Sequence, residues 1–418
     1  MTVLVIGGGF AGVAAAWALS RRGRQVILAW DGAGASSLYP GVLDRQDWDG
    51  PPDPRPVARE VEEFLQVLDC WAPSSGAGAR LATSSGVLRP GRVFDRALLD
   101  LEPLRGQRVD VMDVPRRGWD AADLARAWSA SSWARQTRTE FRAVPVEVPD
   151  GPSLRFLPEG ELAARADDPS WAAALGEALR SAGDGQAPLL CGPWLGLLPG
   201  SAQRVREAAR RPLGEVLSMP GGPAGFRFEA ARDAWLARTE IQVQRASVEQ
   251  VTLGAQGFEV LLSSDGSGAT GSQRLEALPT EVILATGGVA GGGVRFLSGN
   301  GAESRTFSLS LAVSVHGSPL SLRLRGREVS LESGLLGADL QGLGRAALEQ
   351  VGVLSDELQG TALPGVYVAG DLVADRPRAA LEAISSAIVA ARAACRVNVS
   401  QIPLSNSPQS SSPPSERR

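Results

Sequence analysis

Ten residues at the amino terminus, VLVIGGGFAG (Val3 to Gly12), constrain this chain more than any other stretch. Thr2 to Ile6 is a short apolar run rich in β-branched residues, the signature of a buried parallel strand. Ala11 to Arg22 reads as a helix closed by Gly23, and Gln25 to Trp30 reads as a second strand. Glycine in G-x-G-x-x-G has three jobs here. Gly7 permits a tight turn, Gly9 lets backbone approach a phosphate, and Gly12 lets helix and strand touch. The helix start at Phe10 and Ala11 offers free N–H groups and partial positive charge to an anion. A strand–glycine turn–helix–strand unit of this kind predicts an α/β fold with a parallel, Rossmann-like sheet and a dinucleotide site. Such a site wants a carboxylate at the tip of the second strand, to hold a ribose. Trp30 occupies that position and Asp31 follows one residue late. Asp31 is read either as the ribose ligand or as a solvated turn acid.

Composition removes several chemistries. All 42 Lys+Arg residues are Arg, so there is no Schiff-base amine and no Walker lysine. The net charge of −4 gives no basic field for nucleic acid. Cys70, Cys191 and Cys395 are widely spaced, which argues against a redox pair or an iron–sulfur ligand set and fits a reducing cytoplasm. No secretory leader is read at the amino terminus, and no apolar run reaches the ~18 residues of a membrane span.

Two later segments fit the first. TEVILATGGVAGGG (Thr280 to Gly293) is a buried strand running into Thr286 and Gly287. LPGVYVAGDLVADRPRAALEAISSAIVAARAA gives a strand at Val366 to Ala369, a turn at Gly370-Asp371 and a helix over Pro377 to Ala394. Both resemble flavoproteins with two dinucleotide-binding domains. The resemblance implies that Gly370 and Asp371 meet the ribityl chain and phosphate, and that the helix start faces the flavin ring.

The cofactor domain is therefore expected to be discontinuous. Its segments are 1–75, 216–293 and 355–398. An inserted α+β cap or substrate domain covers 76–215 and returns at 294–354, and 399–418 forms a disordered Ser/Pro-rich tail. Within the second segment the reading gives a helix over Ala230 to Arg238 and one strand through IQVQRASVEQVTL. Trp119, Trp128 and Trp133 are read as core or interface residues, and Asp47 to Pro56 as a surface loop.

ASSLYPGVLD (Ala35 to Asp44) is more specific. With the glycine fingerprint, GEVLSMPGGPAGFR (Gly214 to Arg227) and ILATGGVAGGGV, it resembles the second of the three subunits of anaerobic glycerol-3-phosphate dehydrogenase. Two departures stand out. The helix start here is LEAISSAIVAA, and Pro-Ala-Gly replaces Pro-Gly before Arg227. The resemblance implies cofactor contacts at Ser36 and Ser37. It also implies oxidation of glycerol 3-phosphate to dihydroxyacetone phosphate, with electrons passed to a quinone. Catalytic and iron–sulfur partner proteins would then sit at the inner face of the cell membrane. That family is associated with FMN. The intact pyrophosphate-type loop favours FAD, with FMN as the alternative.

Alcohol oxidation needs a hydride acceptor, a base and a substrate anchor. His316, Tyr39, Tyr367 and carboxylates are the available bases. His316 is read on an alternating strand near the returning cap. Arg323, Arg325 and Arg327 alternate, so they would share a strand face and could clamp a phosphate, with Arg325 at the centre. A flavin electron-transfer protein without substrate chemistry, or a stand-alone dehydrogenase or desaturase, are the other readings.

Overall fold

The computed structural model describes residues 1–44, 57–74, 78–263, 272–298, 305–324, 327–329, 351–356 and 359–396. Arg325, the Asp47 to Pro56 loop and the 399–418 tail lie outside these residues.

The central sheet has six strands in the order Gln242–Arg245, Gln25–Trp30, Thr2–Ile6, Glu281–Leu284, Val366–Val368 and Thr361–Leu363. All are parallel except the last, an antiparallel edge. This is the predicted Rossmann-like α/β sheet, assembled from distant parts of the chain. Both faces are covered, which is why its strands read as unbroken apolar runs. Val3, Val5, Val26 and Leu28 pack under the helices Phe10–Ser20, Pro223–Leu236 and Ala380–Arg396. Leu4, Ile6, Ile27 and Ala29 face a five-stranded sheet that includes Ser247–Leu253, Phe258–Ser263 and Ala312–Val315.

A separate core spans Ala82 to Val216. It is built on a four-stranded, wholly parallel sheet in the order Leu213–Glu215, Leu189–Cys191, Arg108–Asp113 and Glu140–Pro145. Intervening helices such as Ala121–Ser129, Pro169–Ser181 and Ser201–Ala209 make the crossovers that parallel strands require, so this region is α/β rather than the expected α+β. Trp119, Trp128 and Trp133 are all buried within it.

Several sequence expectations shift. The run IQVQRASVEQVTL is two strands. Gln242–Arg245 closes the central sheet, and after Ala246 the strand Ser247–Leu253 joins the second sheet. The helix expected from Ala230 starts at Pro223, and the carboxy-terminal helix begins at Ala380, after Pro377 rather than at it. The described part of 294–324 does not return to the 82–216 core. Val294, Phe307, Val313 and Val315 pack in the cluster on the open face of the central sheet.

Arg227 ties the two cores together. Its guanidinium donates to Asp95 at 2.9 Å, to Glu215 at 2.7 Å and to the Gly196 carbonyl at 2.6 Å, all fully buried. The Gly225-Phe226-Arg227 element of the sequence is thus structural. Gly225 presses its helix onto the Ser37 carbonyl, where a Cβ would lie 2.1 Å from that oxygen.

Candidate functional site

The carboxyl ends of the parallel strands converge where the strand order reverses, the usual location of a nucleotide crevice. A cleft of about 690 Å³ opens there. Gly7, Gly9, Phe10 and Ala11 form its floor, and Asp31, Ser36 and Ser37 line one wall. Thr286, Gly287, Gly370 and Asp371 line the other. The structure therefore gathers eleven of the twelve sequence-predicted cofactor residues around one cavity. Gly12 is the remaining one, and it acts from behind. A Cβ there would sit 1.7 Å from the Gly7 carbonyl, so glycine is what allows the helix to meet the turn.

The local geometry explains each glycine that matters. Gly7 has φ +121°, and a Cβ on it would overlap the Ala285 carbonyl at 2.1 Å. Gly370 has φ +70°, and a Cβ on it would lie 2.7 Å from Ala11 Cβ. Gly7 packs the first turn on the end of the Glu281–Leu284 strand, and Gly370 packs the later turn on the first helix, so any side chain at either would push these elements apart. The helix after Gly9 has no side-chain cap of its own. Its Phe10 N–H donates to Ser36 Oγ at 2.9 Å, which holds the serine turn Ala35–Leu38 against the glycine loop.

Trp30 fills the place of the expected acid. Its ring lies under Gly8, where a Cβ would be 2.5 Å from the indole. Arg245 stacks on the ring at 3.9 Å and Arg232 at 5.0 Å, while Arg232 also donates to the Gly8 carbonyl at 2.9 Å. Trp30 is 5% exposed, and its indole N–H is buried with no hydrogen-bond partner among the described residues. Asp31 lines the cleft but is exposed.

Further along the cleft lie Tyr39, Asp44, Arg89, Arg295 and Arg378. Asp44 accepts from the Arg89 guanidinium and from the Arg92 N–H at 3.3 Å, and its own carbonyl accepts from Leu381 N–H at 3.1 Å. Burial raises the Asp44 carboxyl above the usual carboxylate range, against the pull of Arg89. Burial likewise raises Asp371, with Arg378 pulling the other way. Asp44 closes the ASSLYPGVLD run, but nothing in the sequence gives it a role of its own. Arg89 lies on a short strand, Leu88–Gly91, with no motif to mark it.

The bases proposed from sequence do not assemble here. His316 is not on a strand. It occupies an exposed two-residue hairpin turn, with φ +50° at His316 and +78° at Gly317, and does not line the cleft. Tyr39 borders the cleft, but its hydroxyl is buried, accepts from Trp71 Nε1 at 3.0 Å and is held well above its ordinary pKa. Tyr367 sits within the sheet beside Glu281. The arginine face also dissolves. Leu322–Leu324 and Arg327–Val329 are opposite arms of a hairpin, and Arg323 pairs across to Glu328. Among the described residues no group of His, Cys, Asp and Glu could hold a metal ion.

The residues present fit an elongated dinucleotide cofactor. A glycine turn with no room for side chains leads into a helix start. A continuous cleft follows. Trp30 and Thr286, which line it, each carry a buried polar atom, Nε1 and Oγ1, without a partner among the described residues. Fold and site together define an FAD-binding flavoprotein of the Rossmann type. Residues 2–187 match the family model DAO, described as FAD dependent oxidoreductase. That match covers less than half of the chain; over it the chain is similar to FAD-dependent oxidoreductases, and FAD is the cofactor that the cleft fits.

Solved structures similar to it include a flavoprotein/dehydrogenase from Cytophaga hutchinsonii. That structure is 10% identical with a TM-score of 0.34, covering 96% of this chain and 81% of that one. Glycine oxidase from Geobacillus kaustophilus is 13% identical with a TM-score of 0.33, covering 95% of both chains. Iminodiacetate oxidase from Chelativorans sp. BNC1 is 15% identical with a TM-score of 0.29, covering 94% of both. Likenesses this distant establish no shared substrate. No curated protein matches the chain. No helix among the described residues is long and apolar enough to cross a membrane.

Proposed function

We propose that this chain is an FAD-dependent dehydrogenase of a small anionic alcohol, with glycerol 3-phosphate as its substrate. The observation that carries this reading is the Asp44–Arg89 pair on the wall of the cofactor cleft. FAD supplies the hydride acceptor when bound. Arg89 offers a planar cation to a phosphate or carboxylate. Asp44, partly desolvated and with a raised pKa, is suited to accept the hydroxyl proton. Cations at Arg295 and Arg378 on the same cleft further favour an anion. The sequence resemblance to anaerobic glycerol-3-phosphate dehydrogenase supports the substrate and the passage of electrons to a quinone. It also supports a working complex with iron–sulfur and catalytic partners at the membrane face.

Anaerobic mixing of the FAD-loaded chain with glycerol 3-phosphate tests the proposal. Bleaching of the flavin is expected, with at least ~100-fold slower bleaching in Asp44→Asn at unchanged FAD content, the low end for losing a general base at ~10²–10⁴. An FAD-loaded wild-type chain that stays yellow with glycerol 3-phosphate, yet bleaches with dithionite, would remove the substrate assignment. It would leave an electron carrier.

A further inference from the structure

The strand-tip position that ordinarily carries a ribose-binding acid holds a buried hydrogen-bond donor instead. We infer that the Trp30 indole N–H is a cofactor contact, donating to an acceptor atom on the adenosine half of FAD. Three observations converge on it. Trp30 ends the second strand of the glycine-fingerprint unit and borders the cleft. Its Nε1 is buried without a partner among the described residues, a state that costs free energy in the cofactor-free protein and is relieved by an acceptor. Its ring is fixed, with Gly8 on one side and Arg245 and Arg232 stacked upon it, so the donor is held in place before any ligand arrives.

Indole N–H only donates, whereas a carboxylate only accepts. A Trp at this position therefore cannot take ribose hydroxyl protons as an acid would. It selects an oxygen or ring nitrogen with a lone pair. The two guanidiniums on the ring make the surroundings electropositive and favour an electron-rich acceptor. Asp31, exposed at the rim, is a secondary contact at most. This inference concerns the cofactor's nucleotide end, so it does not depend on the substrate proposed above.

The test is Trp30→Phe, which keeps an aromatic ring under Gly8 and deletes the donor. Apoprotein is titrated with FAD and with FMN, following flavin fluorescence, and the melting temperature of the apoprotein is recorded. The expected result is a roughly 2- to 12-fold weaker FAD Kd, the equivalent of one ordinary hydrogen bond. FMN binding, weak or strong, is unchanged, and the apoprotein melts no lower than wild type because an unsatisfied donor is gone. A structural role predicts the reverse pattern, with apo and holo melting lowered together and FAD and FMN affected alike. That pattern, or an unchanged FAD Kd, overturns the inference. Should Trp30→Phe not fold, the wild-type protein answers the question. With ¹⁵N-labelled indoles, one buried indole resonance should move downfield on adding FAD and stay put on adding FMN. No such FAD-specific movement would equally dismiss it.

Discussion

Replacing Glu281 with Gln should stabilise this protein, and more so as the pH rises. Glu281 starts a central strand of the sheet and is 3% exposed; one carboxylate oxygen, Oε2, is buried without a partner among the described residues. Burial is the largest influence on it and pushes its pKa from 4.5 to about 7; a hydrogen bond with Tyr367 and the charge of Arg24 resist only in part. The folded protein thus keeps a proton that the unfolded chain releases. Below pH 4.5 both states are protonated and no penalty exists. Between 4.5 and 7 stability falls as pH rises, and above 7 the penalty is complete. The 2.5-unit displacement corresponds to about 3 kcal/mol at pH 8 and about 1 kcal/mol at pH 5. Gln has nearly the same shape and never ionises. Denaturant unfolding of wild type and Glu281→Gln at pH 5 and pH 8 should show the stability difference growing by about 2 kcal/mol in favour of Gln. A difference that is the same at both pH values would refute the reasoning, because it would mean that Glu281 ionises at its ordinary pKa in the fold.

Three other substitutions probe the scaffold and the cleft. Arg227→Met leaves Asp95 and Glu215 buried together without their cation, and unfolding should become easier by about 3–5 kcal/mol; a loss under about 1 kcal/mol would show that the network contributes little. Gly12→Ala places a methyl group within the Gly7 carbonyl contact, so the purified protein should be colourless and about 1–3 kcal/mol less stable; retention of full flavin content would show that the loop yields. Asp371→Ala should weaken FAD by about 1.5–3 kcal/mol if its carboxylate takes a charge-assisted bond from the cofactor, whereas exposed Asp31→Ala should change the FAD Kd by no more than about twofold. Equal effects of the two in equilibrium titration would contradict the placement of Asp371.

What can be read from the sequence is local or punctuated by glycine. The first βαβ unit is legible because its strands are uniformly apolar and its turn needs Gly7 for a positive φ. The carboxy-terminal Gly370-Asp371 turn is legible for the same reason. What escapes is set by partners far along the chain. Asp44 and Arg89 meet across 45 residues, and neither has a neighbour that announces the other. His316 resembles a strand residue because its flanks alternate, yet the His-Gly pair makes a hairpin turn of positive φ. The Arg323 alternation misleads in the same way, since Leu322–Leu324 and Arg327–Val329 pair antiparallel rather than forming one strand. Ala246 gives no sign of passing the chain from one sheet to another, because a switch between sheets leaves an apolar–polar pattern almost intact. Trp30 stands out in the sequence as an anomaly, but only its burial and its unpartnered N–H give it chemical meaning.

The strand order of the central sheet also dictates a timetable for biosynthesis. Thr2–Ile6 is hydrogen-bonded on one side to Glu281–Leu284, which in turn pairs with Val366–Val368. Its covering helix packs against Ala380–Arg396. Thr2–Ile6 leaves the ribosome well before these partners and must therefore wait, with one edge unpaired, until those far later segments emerge. The region from Ala82 to Val216, whose core is contiguous in sequence, can meanwhile close upon itself. Exposed apolar strands kept waiting are targets for aggregation and for chaperones. A nascent chain halted before Glu281 would thus contain a folded second region and a glycine loop with no wall opposite it, unable to capture flavin. Cofactor acquisition must therefore follow synthesis of the segments from Glu281 onward that build the opposite wall of the cleft.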